Sequence, residues 1–165
     1  MSRTFIISDT HFGHSKMLEF KNYDGTPVRP FSSVEEMDEL MVERWNSVVK
    51  QEDKVYHLGD VVMSKKSLPI LDRLNGKKTL IAGNHDIFDT KIYLKYFDNM
   101  RGYRVLNNFI LSHIPIHPDS IERWKGNIHG HLHGNTMSDP RYFSVCVEQI
   151  NYTPIDMEEI IERFK

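Results

Sequence analysis

The pattern of apolar and polar positions predicts strands and helices that alternate in the first half of the chain, with strands prevailing later. Residues 4–8 (TFIIS) form a short apolar run that ends at a polar cluster, which is typical of a buried strand. A capping box of Ser32 and Glu35 precedes apolar residues at helical spacing, so we expect an amphipathic helix over about 33–50. By the same criteria we predict strands at 55–58, 79–82, 109–112, 127–129 and 142–147, short helices at 68–74 and 90–98, and a C-terminal helix capped by Asp156. This order predicts a mixed α/β fold with helices outside the sheets.

Polar clusters follow the predicted strands at five places. They are Asp9-Thr10-His11, Gly59-Asp60, Gly83-Asn84-His85-Asp86, Ser112-His113 and Gly130-His131-Leu132-His133. Because the carboxyl ends of neighbouring strands converge, these side chains can meet at one edge of a sheet. In an extended segment residues i and i+2 point the same way, so the D-x-H and H-x-H pairs can each present two ligands to one place. The glycines beside Asp60, Asn84 and His131 allow the backbone to turn sharply and to approach an ion or a phosphate.

The chemistry of these side chains indicates a centre with two metal ions. Oxygen and nitrogen ligands without a thiolate suit Mn, Fe, Zn, Co or Ni. Seven groups are too many for one tetrahedral zinc but suit two ions that share a bridging carboxylate. Two ions about 3.5–4 Å apart can activate a bridging water and clamp the oxygens of an in-line phosphoryl displacement. The candidate ligands are Asp9, His11, Asp60, Asn84, His113, His131 and His133.

The five clusters, read as D-x-H, G-D, G-N-H-D, H and G-H-x-H, resemble the calcineurin-like metallophosphoesterase family. The resemblance spans about residues 5–133 and keeps the family order without a substitution at a ligand. In its short length the chain is similar to the compact stand-alone members found in bacteria and their viruses. The resemblance implies a four-layer α/β/β/α sandwich with two mixed β-sheets, and the length of 165 residues predicts a single domain over 1–165.

For the ligands, the resemblance implies two half-sites joined by one carboxylate, that of Asp60. One ion would be held by Asp9, His11 and His133, and the other by Asn84, His113 and His131. We therefore expect two divalent cations as cofactors, with manganese first and Fe, Zn, Ni or Co as alternatives.

For catalysis, the resemblance implies that His85 is not a ligand but contacts the phosphate and protonates the leaving group. Asp86 would orient His85 by a hydrogen bond, and Asp60 would act through both ions. The expected reaction is hydrolysis of a phosphodiester or phosphomonoester, by in-line attack of a metal-bridging hydroxide. The expected substrate is a small nucleotide-like or other metabolite.

Four further histidines and the single cysteine fall outside this pattern. His14 lies three residues after the first cluster and either contacts the substrate phosphate or makes a hydrogen bond within its loop. We expect His57 and His129 to be structural and His117 to be exposed. Cys146 lies in an apolar stretch, which predicts a buried packing residue rather than a nucleophile.

Composition narrows the class of partner. The net charge of -2 and the pI of about 6.5 give no broad basic surface for nucleic acid, so a small substrate is favoured over a nuclease reaction on DNA or RNA. A non-catalytic metal-binding scaffold is a third alternative, which the His85-Asp86 pair disfavours. No apolar run approaches the ~20 residues of a membrane helix, and with one cysteine and no export signal we expect a cytoplasmic protein. The oligomeric state is left open.

Overall fold

The computed structural model describes all residues from 1 to 165 and contains two β-sheets. In chain order the strands and α-helices are β1 (Thr4–Ile7), α1 (Val34–Val48), β2 (Lys54–His57), β3 (Lys77–Ile81), α2 (Thr90–Tyr93), β4 (Asn99–Arg101), β5 (Arg104–Leu106), β6 (Phe109–Leu111), β7 (Asn127–His129), β8 (Tyr142–Ser144), β9 (Ile155–Asp156) and α3 (Met157–Arg163). The first sheet has the order β4-β3-β2-β1-β9 and the second the order β5-β6-β7-β8. Each sheet is mixed, because β9 runs antiparallel to β1 and β5 runs antiparallel to β6. The predicted α/β sandwich with two mixed sheets is confirmed.

Two hydrophobic clusters hold the layers together, and the alternation of side chains along β1 assigns its residues to one or the other. Phe5 and Ile7 point to one face and join the buried side chains of α1. Ile6 points to the opposite face and joins Phe109 and Ile128 of the second sheet. The second cluster therefore lies between the two sheets, whereas the first lies between the first sheet and its helical cover.

The caps of the helices follow the expected chemistry, with one shift. Ser33 caps α1 by accepting the backbone N–H of Glu36 at 3.1 Å, and the Glu36 carboxylate accepts the backbone N–H of Ser32 at 3.0 Å. The capping box predicted on Ser32 and Glu35 is therefore wrong by one residue, because it is Ser33 that has extended backbone directly before the first helical residue. At α3, Asp156 is the N-cap as predicted and accepts the backbone N–H of Glu158 at 2.9 Å.

The helical layers contain less α-helix than the sequence predicts. The segment predicted as a helix at 68–74 is a 3-10 helix over Lys65–Arg73 with Pro69 inside it, and proline has no N–H for an α-helical hydrogen bond. The helix predicted over 90–98 is only the four-residue α2, followed by the edge strand β4, which the sequence analysis missed together with β5 and β9. The connection between β6 and β7 is held to the second sheet at Ile116, whose backbone N–H donates to the side chain of Asn127 at 3.0 Å. No helix combines the length and apolar character required to cross a membrane.

Parallel strand pairs direct the polar clusters to one edge of the sandwich. β1, β2 and β3 are parallel in the first sheet, and β6, β7 and β8 are parallel in the second. All five clusters begin within a few residues of the carboxyl ends of β1, β2, β3, β6 and β7. The two sheets are joined at this edge, because the Asp9 carboxylate accepts the backbone N–H of His131 at 2.9 Å.

Candidate metal centre

The side chains predicted as ligands meet in two adjoining groups. In the first group, which we name site A, ligand atoms of Asp9, His11 and His133 lie within 4.8 Å of one another. In the second group, site B, ligand atoms of Asp60, His113 and His131 do the same. The four histidines are divided between the two groups as the resemblance implies, whereas Asp60, the expected bridge, is grouped here with His113 and His131.

Site A is arranged around one free carboxylate oxygen. Oδ1 of Asp9 lies 3.7 Å from Nε2 of His11 and 3.6 Å from Nε2 of His133. The other oxygen, Oδ2, accepts hydrogen bonds from the Ser8 hydroxyl at 2.5 Å and from the His131 backbone N–H. Asp9 is therefore fixed through Oδ2 while Oδ1 faces the two imidazoles.

Site B brings two imidazole nitrogens to one amide oxygen. Oδ1 of Asn84 lies 2.9 Å from Nε2 of His113 and 3.0 Å from Nδ1 of His131, and the two nitrogens are 3.2 Å apart. Asn84 thus belongs to the same group of ligand atoms as His113 and His131. All three are expected ligands, and they converge although they follow three different strands.

Asp60 lies between the two sites. Its Oδ2 is 3.6 Å from Nε2 of His11 in site A and 3.4 Å from Nε2 of His113 in site B. Its Oδ1 accepts the backbone N–H of His85 at 2.9 Å, which fixes the direction of the carboxylate. The position of Oδ2 is the one required of a carboxylate that bridges two ions.

Five of the candidate ligands have left-handed backbone conformations. The φ angles are 59° at Asp9, 48° at His11, 58° at Asp60, 74° at His131 and 51° at His133. Side chains other than glycine disfavour this region by about 1–2 kcal/mol, and such residues are concentrated at functional sites. The extended geometry predicted for the D-x-H and H-x-H pairs is therefore wrong. Both pairs do point into the centre, but His131 and His133 are divided between the two sites.

Two glycines beside the ligands provide space for carboxylates. A Cβ atom at Gly83 would lie 2.3 Å from Oδ1 of Asp60, and a Cβ atom at Gly130 would lie 2.3 Å from Oδ2 of Asp9. Real Cβ atoms essentially never come this close to another heavy atom. Glycine does allow close approach at these loops, but the atoms approached are carboxylate oxygens rather than the ion or phosphate of the prediction.

Unsatisfied buried atoms show that the centre fits a pair of cations. Oδ1 of Asp9 and Nε2 of His11 are buried and have no hydrogen-bond partner. An unsatisfied buried polar atom costs about 1–3 kcal/mol, so native proteins rarely keep two of them side by side. Burial opposes ionisation of Asp9 and Asp60, yet the surrounding histidines hold the pKa of both carboxyls below the ordinary value. Ionised carboxylates that face imidazole nitrogens are the oxygen and nitrogen donors that divalent transition metals bind.

Three histidines of the centre have their second ring nitrogen engaged, which leaves the other nitrogen free to act as a ligand. Nδ1 of His113 donates to the carbonyl of Leu58 at 2.7 Å. Nδ1 of His11 lies 3.2 Å from Nδ1 of His14, and the two rings are stacked. Partial burial, together with the charge of His11, lowers the pKa of His14 to about 4, so the His14 ring is neutral.

The partner of His133 is a residue that the sequence analysis missed. Nδ1 of His133 lies 2.9 Å from Oε2 of Glu148, whose side chain is only 4% exposed. The same oxygen accepts from the fully buried guanidinium of Arg29 at 3.3 Å. Arg29 also donates to the backbone carbonyls of Asp9 and Thr10, in the latter case at 2.7 Å. Glu148 follows a predicted strand just as the ligand clusters do, so the criterion applied to those clusters would have found it.

The Asn84-His85-Asp86 turn differs from expectation at Asp86. The buried Asp86 carboxylate accepts the backbone N–H groups of Asp60 at 2.8 Å, Val61 at 3.1 Å and Gly83 at 2.7 Å. It makes no hydrogen bond to the ring of His85, so the expected orientation of His85 by Asp86 is wrong. Asp86 instead ties together the loops that follow β2 and β3. The His85 ring is exposed and lies 5.9 Å from the His11 ring, at the open side of the centre.

The remaining histidines and the cysteine are structural or exposed. His57 is fully buried, with Nδ1 accepting from the Gly59 backbone and Nε2 lying 2.9 Å from the Thr10 hydroxyl. Burial lowers its pKa to about 3, so the ring is neutral. His129 is buried and donates to the carbonyl of Gly130 at 2.8 Å, whereas His117 is 73% exposed. Cys146 is buried beside Asp9, and burial raises the pKa of its thiol, which agrees with a packing role.

Comparison with known proteins gives concordant matches over nearly the full chain. The model of the calcineurin-like phosphoesterase family matches residues 2–162. An uncharacterized protein of Methanocaldococcus jannaschii is 35% identical over 173 residues, which cover 98% of this chain and 91% of the relative. The Gene 66 protein of Mycobacterium phage D29 is 27% identical over 201 residues, or 98% of this chain and 96% of the phage protein. Among solved structures, the protein of unknown function AQ665 from Aquifex aeolicus is 28% identical, with a TM-score of 0.78 over 98% of this chain and 99% of its own.

Proposed function

The chain belongs to the calcineurin-like phosphoesterase family, and we propose that it hydrolyses a phosphodiester or phosphomonoester of a small nucleotide-like or other metabolite with the help of two divalent ions. One observation carries the proposal most directly. Oδ2 of Asp60 lies close to ligand atoms of both site A and site B. In site A, the buried atoms Oδ1 of Asp9 and Nε2 of His11 have no hydrogen-bond partner. Such a pair of sites is the arrangement that two-metal phosphoryl transfer requires.

The residues of sites A and B are those that would hold the ions, with Asp60 contributing to both. The set of oxygen and nitrogen donors supports manganese, and also Fe, Zn, Ni or Co. When bound, the two ions would supply an activated water and positive charge for the oxygens of the phosphoryl group. The protein would keep the ligand atoms in place beforehand through Ser8, Leu58, His14 and Glu148, each of which contacts one ligand side chain.

We assign proton transfer to His85. Its ring is exposed on the open side of the centre, while its backbone N–H is held by the bridging Asp60. A proton delivered from the imidazole to the leaving-group oxygen would let an alkoxide depart as an alcohol. Contact of His14 with the substrate phosphate is also retained as a proposal, because only Nδ1 of its ring is engaged with His11. A cytoplasmic location remains a prediction from the sequence.

A substrate panel tests the reaction class. We expect the manganese-loaded protein to hydrolyse 4-nitrophenyl phosphate or bis(4-nitrophenyl) phosphate with a higher kcat/KM than single-stranded DNA or RNA. Preferential cleavage of the nucleic acids would favour the nuclease alternative. Absence of hydrolysis of every compound in the panel would favour a non-catalytic scaffold.

The role of His85 is tested by comparing leaving groups. A 4-nitrophenolate departs without a proton, whereas an alkoxide does not, so His85→Ala should lose about 100-fold in kcat on an alkyl ester and much less on a nitrophenyl ester. The His85→Ala variant should still bind both ions. His117→Ala is the matched control, because His117 is 73% exposed and lies outside the centre. Equal losses on the two esters would contradict the assignment.

A further inference from the structure

A cleft adjoins the metal centre, and most of its lining residues are not candidate metal ligands. It has a volume of about 360 Å³, and its wall includes His131 and His133. Concave sites of about 300–1,000 Å³ are typical of small-molecule ligands. A phosphate at the metal centre would therefore have the rest of its molecule next to this cleft.

The outer wall of the cleft is a stiff loop, residues 20–28, that packs against the loop of site A. The backbone N–H of Val28 donates to the carbonyl of Phe20 at 2.9 Å, and the N–H of Asn22 donates to the carbonyl of Thr26 at 2.8 Å. Opposite this loop, a Cβ atom at Gly134 would lie 2.2 Å from Oδ1 of Asn22, so the two loops come close together at this point. The next residue, Arg29, is bound to the backbone of Asp9 and Thr10, so the loop is fixed relative to the metal centre.

The lining of the cleft combines exposed aromatic rings with amides and one cation. Phe20 is 48% exposed and Tyr23 is 98% exposed, although large aromatic side chains are usually buried. Met17, Val28 and Leu132 add apolar surface, and Lys21, Asn22 and Asn135 are the polar residues that do not belong to the metal centre. No carboxylate lines the cleft. The surface therefore suits a flat apolar ring with hydrogen-bonding edges on a negatively charged molecule.

The position of Phe20 connects the cleft to the metal centre. The Phe20 ring lies 6.2 Å from the His14 ring with edge-to-face geometry, and His14 is stacked on the ligand His11. A ring bound beside Phe20 would be separated from the site A ligand His11 by the His14 imidazole. The cleft and site A are therefore neighbours that one molecule with a phosphate and a ring substituent could occupy together.

We propose that this cleft binds the nucleobase of a nucleotide ester whose phosphate lies at the metal centre. The inference rests on the proposed function and specifies its substrate class. Stacking on the aromatic rings would provide affinity, and the amide of Asn135 would bind the edge of the base. The amide nitrogen of Asn22 is engaged within its own loop, where it donates to the Thr26 hydroxyl at 3.2 Å. An alkyl chain is disfavoured, because the Asn135 amide and Lys21 would then be desolvated without a partner.

The test compares ligands that differ by the base alone. AMP and ribose 5-phosphate are measured as competitive inhibitors of bis(4-nitrophenyl) phosphate hydrolysis by the manganese-loaded protein, with n-octyl phosphate as the alkyl comparator. We expect AMP to inhibit at least tenfold more tightly than ribose 5-phosphate. Phe20→Ala and Tyr23→Ala should each reduce the ratio of the two inhibition constants, ribose 5-phosphate over AMP, about five- to tenfold. This is the lower end of the effect of losing a stacked base. Tyr103→Ala is the control, because Tyr103 is 61% exposed and lies outside the cleft.

The outcomes separate the cleft from the reaction. A ratio near one in the unchanged protein, or a ratio unaffected by Phe20→Ala and Tyr23→Ala, would overturn the base site while leaving the esterase intact. Tighter inhibition by n-octyl phosphate than by AMP would overturn it in favour of an alkyl ester. If the unchanged protein hydrolyses nothing, the proposed function fails. In that case the dissociation constants of AMP and ribose 5-phosphate are measured by calorimetry, where turnover cannot interfere. Their ratio still tests whether the cleft binds a base.

Discussion

Replacement of Glu148 by glutamine tests whether a buried charge pair supports the metal centre. Glu148 accepts from both His133 and the fully buried Arg29, while its second oxygen, Oε1, is buried without a partner. Glutamine keeps an acceptor for the His133 proton but removes the negative charge, so Arg29 is left as an uncompensated buried cation. Removing one partner of a buried ion pair costs about 3–5 kcal/mol. In the variant, Arg29 can still donate to the backbone carbonyls of Asp9 and Thr10. We therefore expect Glu148→Gln to lower the free energy of unfolding by an amount at the lower end of this range, about 3 kcal/mol.

The assay is urea unfolding of the metal-free protein, since bound metal would itself stabilise the native state. The matched control is Glu39→Gln, which removes the same charge from a bidentate pair with Arg73 at 2.6 and 2.8 Å. Both side chains of that pair are at least half exposed and screened by solvent, so the control should lose far less stability than Glu148→Gln. The two variants thus differ in burial rather than in chemistry.

A second readout concerns the ions directly. Groups that orient a metal-binding histidine typically account for 10- to 100-fold in metal affinity, so Glu148→Gln should weaken one of the two manganese sites by about that factor. The affinity is measured by competition with a chromophoric chelator. If Glu148→Gln costs no more stability than Glu39→Gln and binds both ions as the unchanged protein does, the reasoning from the buried pair is refuted.

Three further predictions follow from the centre and the core. Gly130→Ala should displace the Asp9 carboxylate and reduce the metal content to one ion or none, whereas Gly102→Ala, which has no heavy atom within 4 Å of the added Cβ, should keep two ions by elemental analysis. Asp60→Asn should lose both metal and activity, and retention of two ions with full turnover would contradict its bridging role. His57 is neutral when folded, with a pKa of about 3 against 6.5 for the free side chain, so the unfolded state binds more protons between these values. Stability should therefore fall with pH from about 6.5 downward, by up to about 1.4 kcal/mol per unit for one proton, and His57→Gln should show a shallower decline in urea unfolding. Parallel declines would show that His57 does not contribute.

The bounds of the predicted elements show how much of the fold the apolar pattern alone can predict. Seven elements were predicted within two residues at either end, because each has an apolar run, a helical period or a clear cap: β1, α1, β2, β3, β6, β7 and α3. β4 and β5 were missed. Each has three residues, and β4 has a single apolar side chain, so their pairing with a neighbouring strand rather than their own pattern makes them strands. The helix predicted at 90–98 ended after four residues for the same reason, since residues 99–101 pair with β3.

The sequence alone predicted which residue types gather at the candidate metal centre and in what order they follow the strands, because parallel strands must bring their carboxyl ends to one edge. Through the resemblance of the whole pattern it also predicted a division into two half-sites. Only the tertiary structure showed that the ligands have left-handed backbones, that Asp86 holds backbone N–H groups, and that Glu148 and Arg29 stand behind His133. Arg29 and Glu148 are 119 residues apart, and their contact depends on how the two sheets pack. A local pattern can specify a ligand, but the packing of distant segments decides what surrounds it.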